Sequence, residues 1–193
     1  FGHRLSLSSD GLRIAISSIL HNSELGHVRV FQYDGSTWNI LGSEIEGGAN
    51  NTGHGSSVAI SGNGLKVAIG AKDYSQEEPE LGGIGYARVY EWNGTSWAQV
   101  GLDIVGEDEY DNSGSSIAIS DDGGIVAIGA PYNNGSNSAT ADNGHARVYN
   151  FTSGNWAKLG DDIDGDDAEE NFGHSVDLSS DGLVLVTGSP NKN

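Results

Sequence analysis

The sequence predicts an all-β fold of β-propeller type: about three and a half four-stranded antiparallel blades, forming an open arc cut from a larger propeller. Three observations carry that prediction. Trp38, Trp97 and Trp156 recur at an interval of 59 residues, and the segments GSTWNILG, GTSWAQVG and SGNWAKLG around them keep step. A matched pair of strand-like runs, as in RLSLSSDGLRIAIS and SSVAISGNGLKVAIG, occurs four times. Thirty glycines, with abundant Val, Ile, Ser and Asn, suit many short strands joined by tight turns.

The repeat divides the chain into blade units 1–53, 54–112 and 113–171, with 172–193 as the first hairpin of a fourth. In each unit's first run the pairs Leu5 and Leu7, Val58 and Ile60, Ile117 and Ile119, Val176 and Leu178 stand two apart, the period of a strand with one buried face. Asp10-Gly11, Asn63-Gly64, Asp122-Gly123 and Asp181-Gly182 then predict a two-residue hairpin turn. A second strand follows through Ile14–Ile16 and its copies. The third carries Val28 and Val30, Ala87 and Val89, Ala146 and Val148, and reaches a turn at Asp34-Gly35, Asn93-Gly94 or Ser153-Gly154. The fourth strand starts at the tryptophan, and an acidic segment leads to the next unit.

Phe172-Gly173 opens one unit and Gly129-Ala130-Pro131 closes the second strand of another, and on these motifs the chain resembles FG-GAP repeat proteins such as the integrin α-subunit propeller. Phe1-Gly2 matches the first motif, while Gly70-Ala71-Lys72 and Gly188-Ser189-Pro190 are looser versions of the second. His54-Gly55 and Ser113-Gly114 lack the phenylalanine, and Ser17-Ser18-Ile19 departs altogether. The calcium loop that the resemblance would place between the first two strands is replaced here by a short turn, so that family's ligands do not carry over.

A net charge of −18 over 193 residues argues against nucleic acid and anionic lipid as partners. No apolar run approaches the roughly 20 residues of a membrane helix, so no membrane insertion is expected. With no cysteine, neither a disulfide framework nor a thiolate metal site is available. Phe1 opens in mid-motif, which suggests a piece of a longer protein whose missing blades come from the parent chain or another copy.

In an up-and-down meander the loops between second and third strands share one face with the segments joining successive units. Those loops vary in length and content, as binding loops on a rigid scaffold do. Asp73, Tyr74, Glu77, Glu78 and Glu80 in the second unit, and Tyr132, Asn133 and Asn134 in the third, are therefore the candidate binding residues. Asp162, Asp164, Asp166 and Asp167 are the candidate metal ligands, with calcium the one cofactor suggested and none required. The first three alternate as in a calcium loop, but Asp167 occupies the position where such a loop needs glycine.

Residues that keep the interval read as scaffold. Arg29, Arg88 and Arg147 recur with Glu44, Asp103 and Asp162, which predicts an ion pair repeated in every unit. The tryptophans lie close to Tyr33, Trp92 and Phe151 and read as hairpin packing, with sugar stacking the alternative. His3 and His174 share one repeat position, His27 and His145 another, and both pairs read as local hydrogen-bonding groups. No nucleophile elbow, phosphate loop or HExxH spacing is present. The expected function is a non-enzymatic extracellular or cell-surface module for adhesion or for recognising a protein or glycan. The alternatives are a carbohydrate-active enzyme domain using loop carboxylates and a purely structural repeat.

Overall fold

The computed structural model describes residues 2–21, 25–48, 53–75, 83–134 and 142–191. The first unit places β1 (Leu5–Leu7), β2 (Arg13–Ser18), β3 (His27–Tyr33) and β4 (Trp38–Ile40) side by side in an antiparallel sheet, and β5 (Ile45–Glu46) also pairs with β3. The second repeats this with β6 (Ser57–Ile60), β7 (Lys66–Ala71), β8 (Tyr86–Trp92), β9 (Trp97–Gln99) and β10 (Ile104–Val105). The third does so with β11 (Ser116–Ile119), β12 (Ile125–Ala130), β13 (His145–Thr152), β14 (Asn155–Lys158) and β15 (Ile163–Asp164). A fourth, two-stranded sheet joins β16 (Ser175–Leu178) to β17 (Leu185–Gly188). No helix occurs among the described residues.

One local expectation is corrected, and one strand is divided. The turn between the first two strands is longer than two residues: the Ser8 amide donates to the Arg13 carbonyl, enclosing four residues, and the Gly11 amide donates back to the Ser8 carbonyl, both at 2.9 Å. Asp10 Oδ1 accepts from the Ser8 hydroxyl at 2.6 Å and the Leu12 amide at 2.8 Å, an Asx turn that locks the loop. Ser61 and Asn63, Ser120 and Asp122, and Ser179 and Asp181 repeat the serine–Asx bond. The fourth strand is likewise two short pieces, β4 and β5 in the first unit, interrupted at Gly42 with φ +78°.

That interruption receives the next unit. Trp97 Nε1 donates to the Leu41 carbonyl and Trp156 Nε1 to the Val100 carbonyl, each at 2.8 Å. A side chain at Gly42 would put Cβ 2.5 Å from the Trp92 ring, and one at Gly101 would put it 2.8 Å from Trp156. The tryptophans thus pack within the scaffold, tilted against Tyr33, Trp92 and Phe151 with ring centroids 5.2–5.5 Å apart.

The apolar core lies between successive sheets. Val28, Val30 and Ile45 meet Val58, Val67 and Ile69, and Ala87, Val89 and Ile104 meet Ile117, Val126 and Ile128. Each unit therefore buries its face only by stacking on a neighbour. The first strands of neighbouring units also contact one another, with the Ser57 hydroxyl donating to the Gly114 carbonyl and that of Ser116 to the Gly173 carbonyl, both at 2.7 Å. This approach explains Gly70 and Gly129: a Cβ there would stand 2.1 Å and 2.0 Å from those same carbonyl oxygens.

Candidate functional site

Strands β1, β6, β11 and β16 bring their N-terminal ends together, beside the loops that leave β7 and β12. A cavity of about 260 Å³ opens there, lined in part by His3, Arg4, Lys72, Asn112, Tyr132 and His174. A second hollow of about 280 Å³ continues between the same strands and shares Arg4, Ser115 and His174. His3, Ser56, Ser115 and His174 occupy one position of the repeat, and all four line the first cavity. Equal register therefore means convergence on one space.

The lining is cationic in a strongly acidic chain. Burial first, then the charges of Arg4 and Lys72, hold the His3 imidazole below its ordinary pKa, so it is neutral at pH 7. The Lys72 ammonium pairs with the Asp73 carboxylate beside it. Tyr132, 45% exposed, adds an aromatic wall. Such a hollow offers a neutral base and fixed positive charge to an anionic, hydroxyl-bearing ligand.

Of the sequence-derived binding residues, Tyr132 lines this cavity and Asp73 neighbours it through Lys72. Tyr74 packs edge-on against Tyr86 at 4.9 Å. Asn133 is buried and donates from Nδ2 to Asp111 Oδ2 at 2.8 Å, while Asn134 Oδ1 accepts from the Asp142 amide at 3.2 Å. Glu77, Glu78 and Glu80 lie outside the described residues.

Among the described residues, Asp103, Asp162 and Glu170 are engaged in structural bonds. Arg88 grips Asp103 through two hydrogen bonds of 2.8 and 2.7 Å, and Arg147 grips Asp162 through two of 2.9 and 2.8 Å. Arg29 pairs with Glu44 through the single oxygen Oε1. Lys158 also donates to Asp162 at 2.7 Å, and the hydrogen bond from Arg147 keeps that carboxyl well below the usual carboxylate range. Glu170 is buried and accepts from the Asp166 and Asp167 amides at 2.9 and 3.1 Å, which turns the segment back on itself. Asp162, Asp164, Asp166 and Asp167 do not converge on one point as the alternation suggested. Among the described residues, the groups of three potential ligands that do converge are Glu107, His145 and Asp162, and His21, His27 and Glu44. In the first, Arg147 bonds both carboxylates and supplies the positive charge itself.

No family model matches the sequence, and no curated protein does. The fold resembles a solved structure described as a putative 6-phosphogluconolactonase from Bacteroides uniformis, with a TM-score of 0.59 at 13% identity. The match covers 96% of this chain and 46% of that one, so the chain spans about half the length of its structural neighbour. The expectation of an adhesion or recognition module is corrected by this match: the structure that shares the fold is described as a lactonase, so the alternative reading is the one taken up below. At this identity the likeness establishes the fold, and the chemistry must come from the residues.

Proposed function

We propose that the chain is part of a β-propeller enzyme acting on an anionic sugar derivative, seated in the cavity where the first strands of the four units converge. The observation that carries this reading is the clustering of His3, Arg4, Lys72 and His174 around one hollow of about 260 Å³ in a chain of net charge −18. Nothing in the overall charge would place cations there.

The chemistry the cavity suits is hydrolysis of an ester or lactone bond in a sugar acid. Neutral His3 takes a proton from water as its oxygen attacks the acyl carbon. The ring or ester C–O bond breaks, and the imidazolium returns that proton to the departing alkoxide. Arg4 and Lys72 hold the substrate's anionic group and favour negative charge developing on the acyl oxygen. Tyr132 covers the sugar's apolar face. Asp103, Asp162 and Glu170, engaged elsewhere, act as scaffold and not as the acid and base pair.

Isothermal titration with gluconate, a phosphorylated sugar acid and a neutral glycan, together with a lactone hydrolysis assay, tests the reading. Anionic sugars should bind and the neutral glycan should not. Arg4→Ala should weaken anion binding about tenfold or more, the loss of one charge-assisted contact. His3→Gln should suppress turnover while leaving binding nearly intact. Equal binding of neutral and anionic sugars would refute the proposal.

A further inference from the structure

We propose that His21, His27 and Glu44 form a binding site for zinc or a similar nitrogen-preferring divalent cation, independent of the cavity and of the reading above. Their ligating atoms lie within 4.8 Å of one another. Glu44 Oε2 stands 3.6 Å from His27 Nδ1 and 3.8 Å from His21 Nε2, and the two rings meet edge to face with centroids 4.1 Å apart. Ligands held about 2.0–2.2 Å from zinc in a tetrahedron stand about 3.4 Å from each other. A contraction of a few tenths of an ångström would bring Glu44 Oε2 to that spacing from both rings, leaving a fourth position for water once the imidazoles close on the ion.

The first unit differs from the others in two ways that create this arrangement. Its acid is Glu44 where the second and third units have Asp103 and Asp162. Both aspartates present both oxygens to their arginine, whereas Glu44 meets Arg29 through Oε1 and turns Oε2 towards the imidazoles. The loop after β2 then contributes His21. In the third unit His145 also faces two carboxylates, but the Arg147 guanidinium bonds both. Across the repeat a guanidinium holds the acid of every unit, and in the first it does so through one oxygen, leaving the other turned to two imidazoles.

The donor set selects the ion. Calcium requires six to eight oxygens and finds one carboxylate here, already sharing its charge with Arg29, whereas two imidazoles and one carboxylate suit zinc, nickel or copper. His27 is buried at the start of strand β3, so its ring is held in place beside Glu44. Arg29 at Oε1 fixes the carboxylate as an outer partner. A bound ion would pin the loop carrying His21 to strand β3 and to the segment ahead of β5.

Cobalt(II) titrated into the untagged chain tests the site. The expected result is saturable binding of one ion, with the visible absorption of four-coordinate cobalt that zinc abolishes and millimolar calcium does not. His21→Ala, in a half-exposed loop away from the core, should weaken binding at least tenfold. Glu44→Gln should do likewise, and a variant combining His3→Ala with His174→Ala should bind as the parent does. Failure to bind cobalt, binding unchanged in His21→Ala, or binding lost only with the His3 and His174 pair would overturn the proposal. The sugar-binding measurements are unaffected by any of these outcomes.

Discussion

Trp156→Ala should destabilise the chain far more than Trp38→Ala, although both side chains hold the same position in the repeat. Trp156 is 8% exposed, packs among Ala87, Val89 and Ile104 of the preceding unit, and donates to the Val100 carbonyl at 2.8 Å. Trp38 is 46% exposed and contacts its own hairpin partner Tyr33. Truncating a buried tryptophan costs about 3–5 kcal/mol, whereas losing a half-exposed ring costs roughly 1 kcal/mol. The difference, about 2–4 kcal/mol, corresponds to a gap in melting temperature on the order of 5–15 °C for a chain of this size. Trp156→Phe separates the two contributions: most of the packing remains, and leaving the Val100 carbonyl without its donor costs about 1 kcal/mol. Differential scanning calorimetry of the three variants, supported by denaturant titration, gives the ordering directly. Equal losses for Trp38→Ala and Trp156→Ala would refute the inter-sheet role and favour the alternative of exposed sugar platforms.

Three further outcomes follow from the same framework. Gly129→Ala would drive a Cβ to 2.0 Å from the Gly173 carbonyl, so it should destabilise by about 1–3 kcal/mol or more in calorimetry, while Gly154→Ala, whose Cβ meets nothing within 4 Å, should show only the strain of its positive φ. His54 is fully buried beside the Tyr86 hydroxyl at 3.1 Å, and burial holds its pKa down to about 3. The unfolded chain then binds the extra proton first, so stability should fall as pH drops from about 6.5 towards 3, and His54→Gln should flatten that slope in denaturant titrations. Asp103 is depressed chiefly by the hydrogen bond from Arg88. Its contribution is present above about pH 4 and disappears as pH falls through its lowered folded value, so Arg88→Ala should lower the melting temperature at pH 7 more than at pH 3.

Much of the strand pattern was legible because the repeat supplies the same test several times. Alternation in Val58 and Ile60 or Ile117 and Ile119 marks one buried face, and the recurring Arg88 and Asp103 announced their ion pair. The four-residue turn escaped because its lock depends on Ser8, two residues before the Asp10-Gly11 signal, and on a side-chain bond that no backbone propensity encodes. The return of the chain to β3 as β5 after Gly42 was not legible, since the reason for the break lies in the next unit's Trp97. The cavity was missed for a more general reason. Treating every residue that keeps the interval as scaffold discarded His3 and His174, yet in a repeat array equal register is what carries side chains to a shared space. The variable loops drew attention through sequence difference, and Tyr132 is the residue of that set that lines the cavity.

The bonds from Trp97 and Trp156 to the preceding unit's carbonyl give the array a direction. The second unit reads the first and is read by the third, so damage should not spread evenly. A lesion at Leu41 or Gly42 withdraws the dock for Trp97, whereas a lesion at Trp97 leaves the first unit's own hairpins intact. Units inserted or exchanged in such an array must therefore match two different neighbours at once, and engineering that grafts a loop from one copy to another should respect the order in which the copies lock.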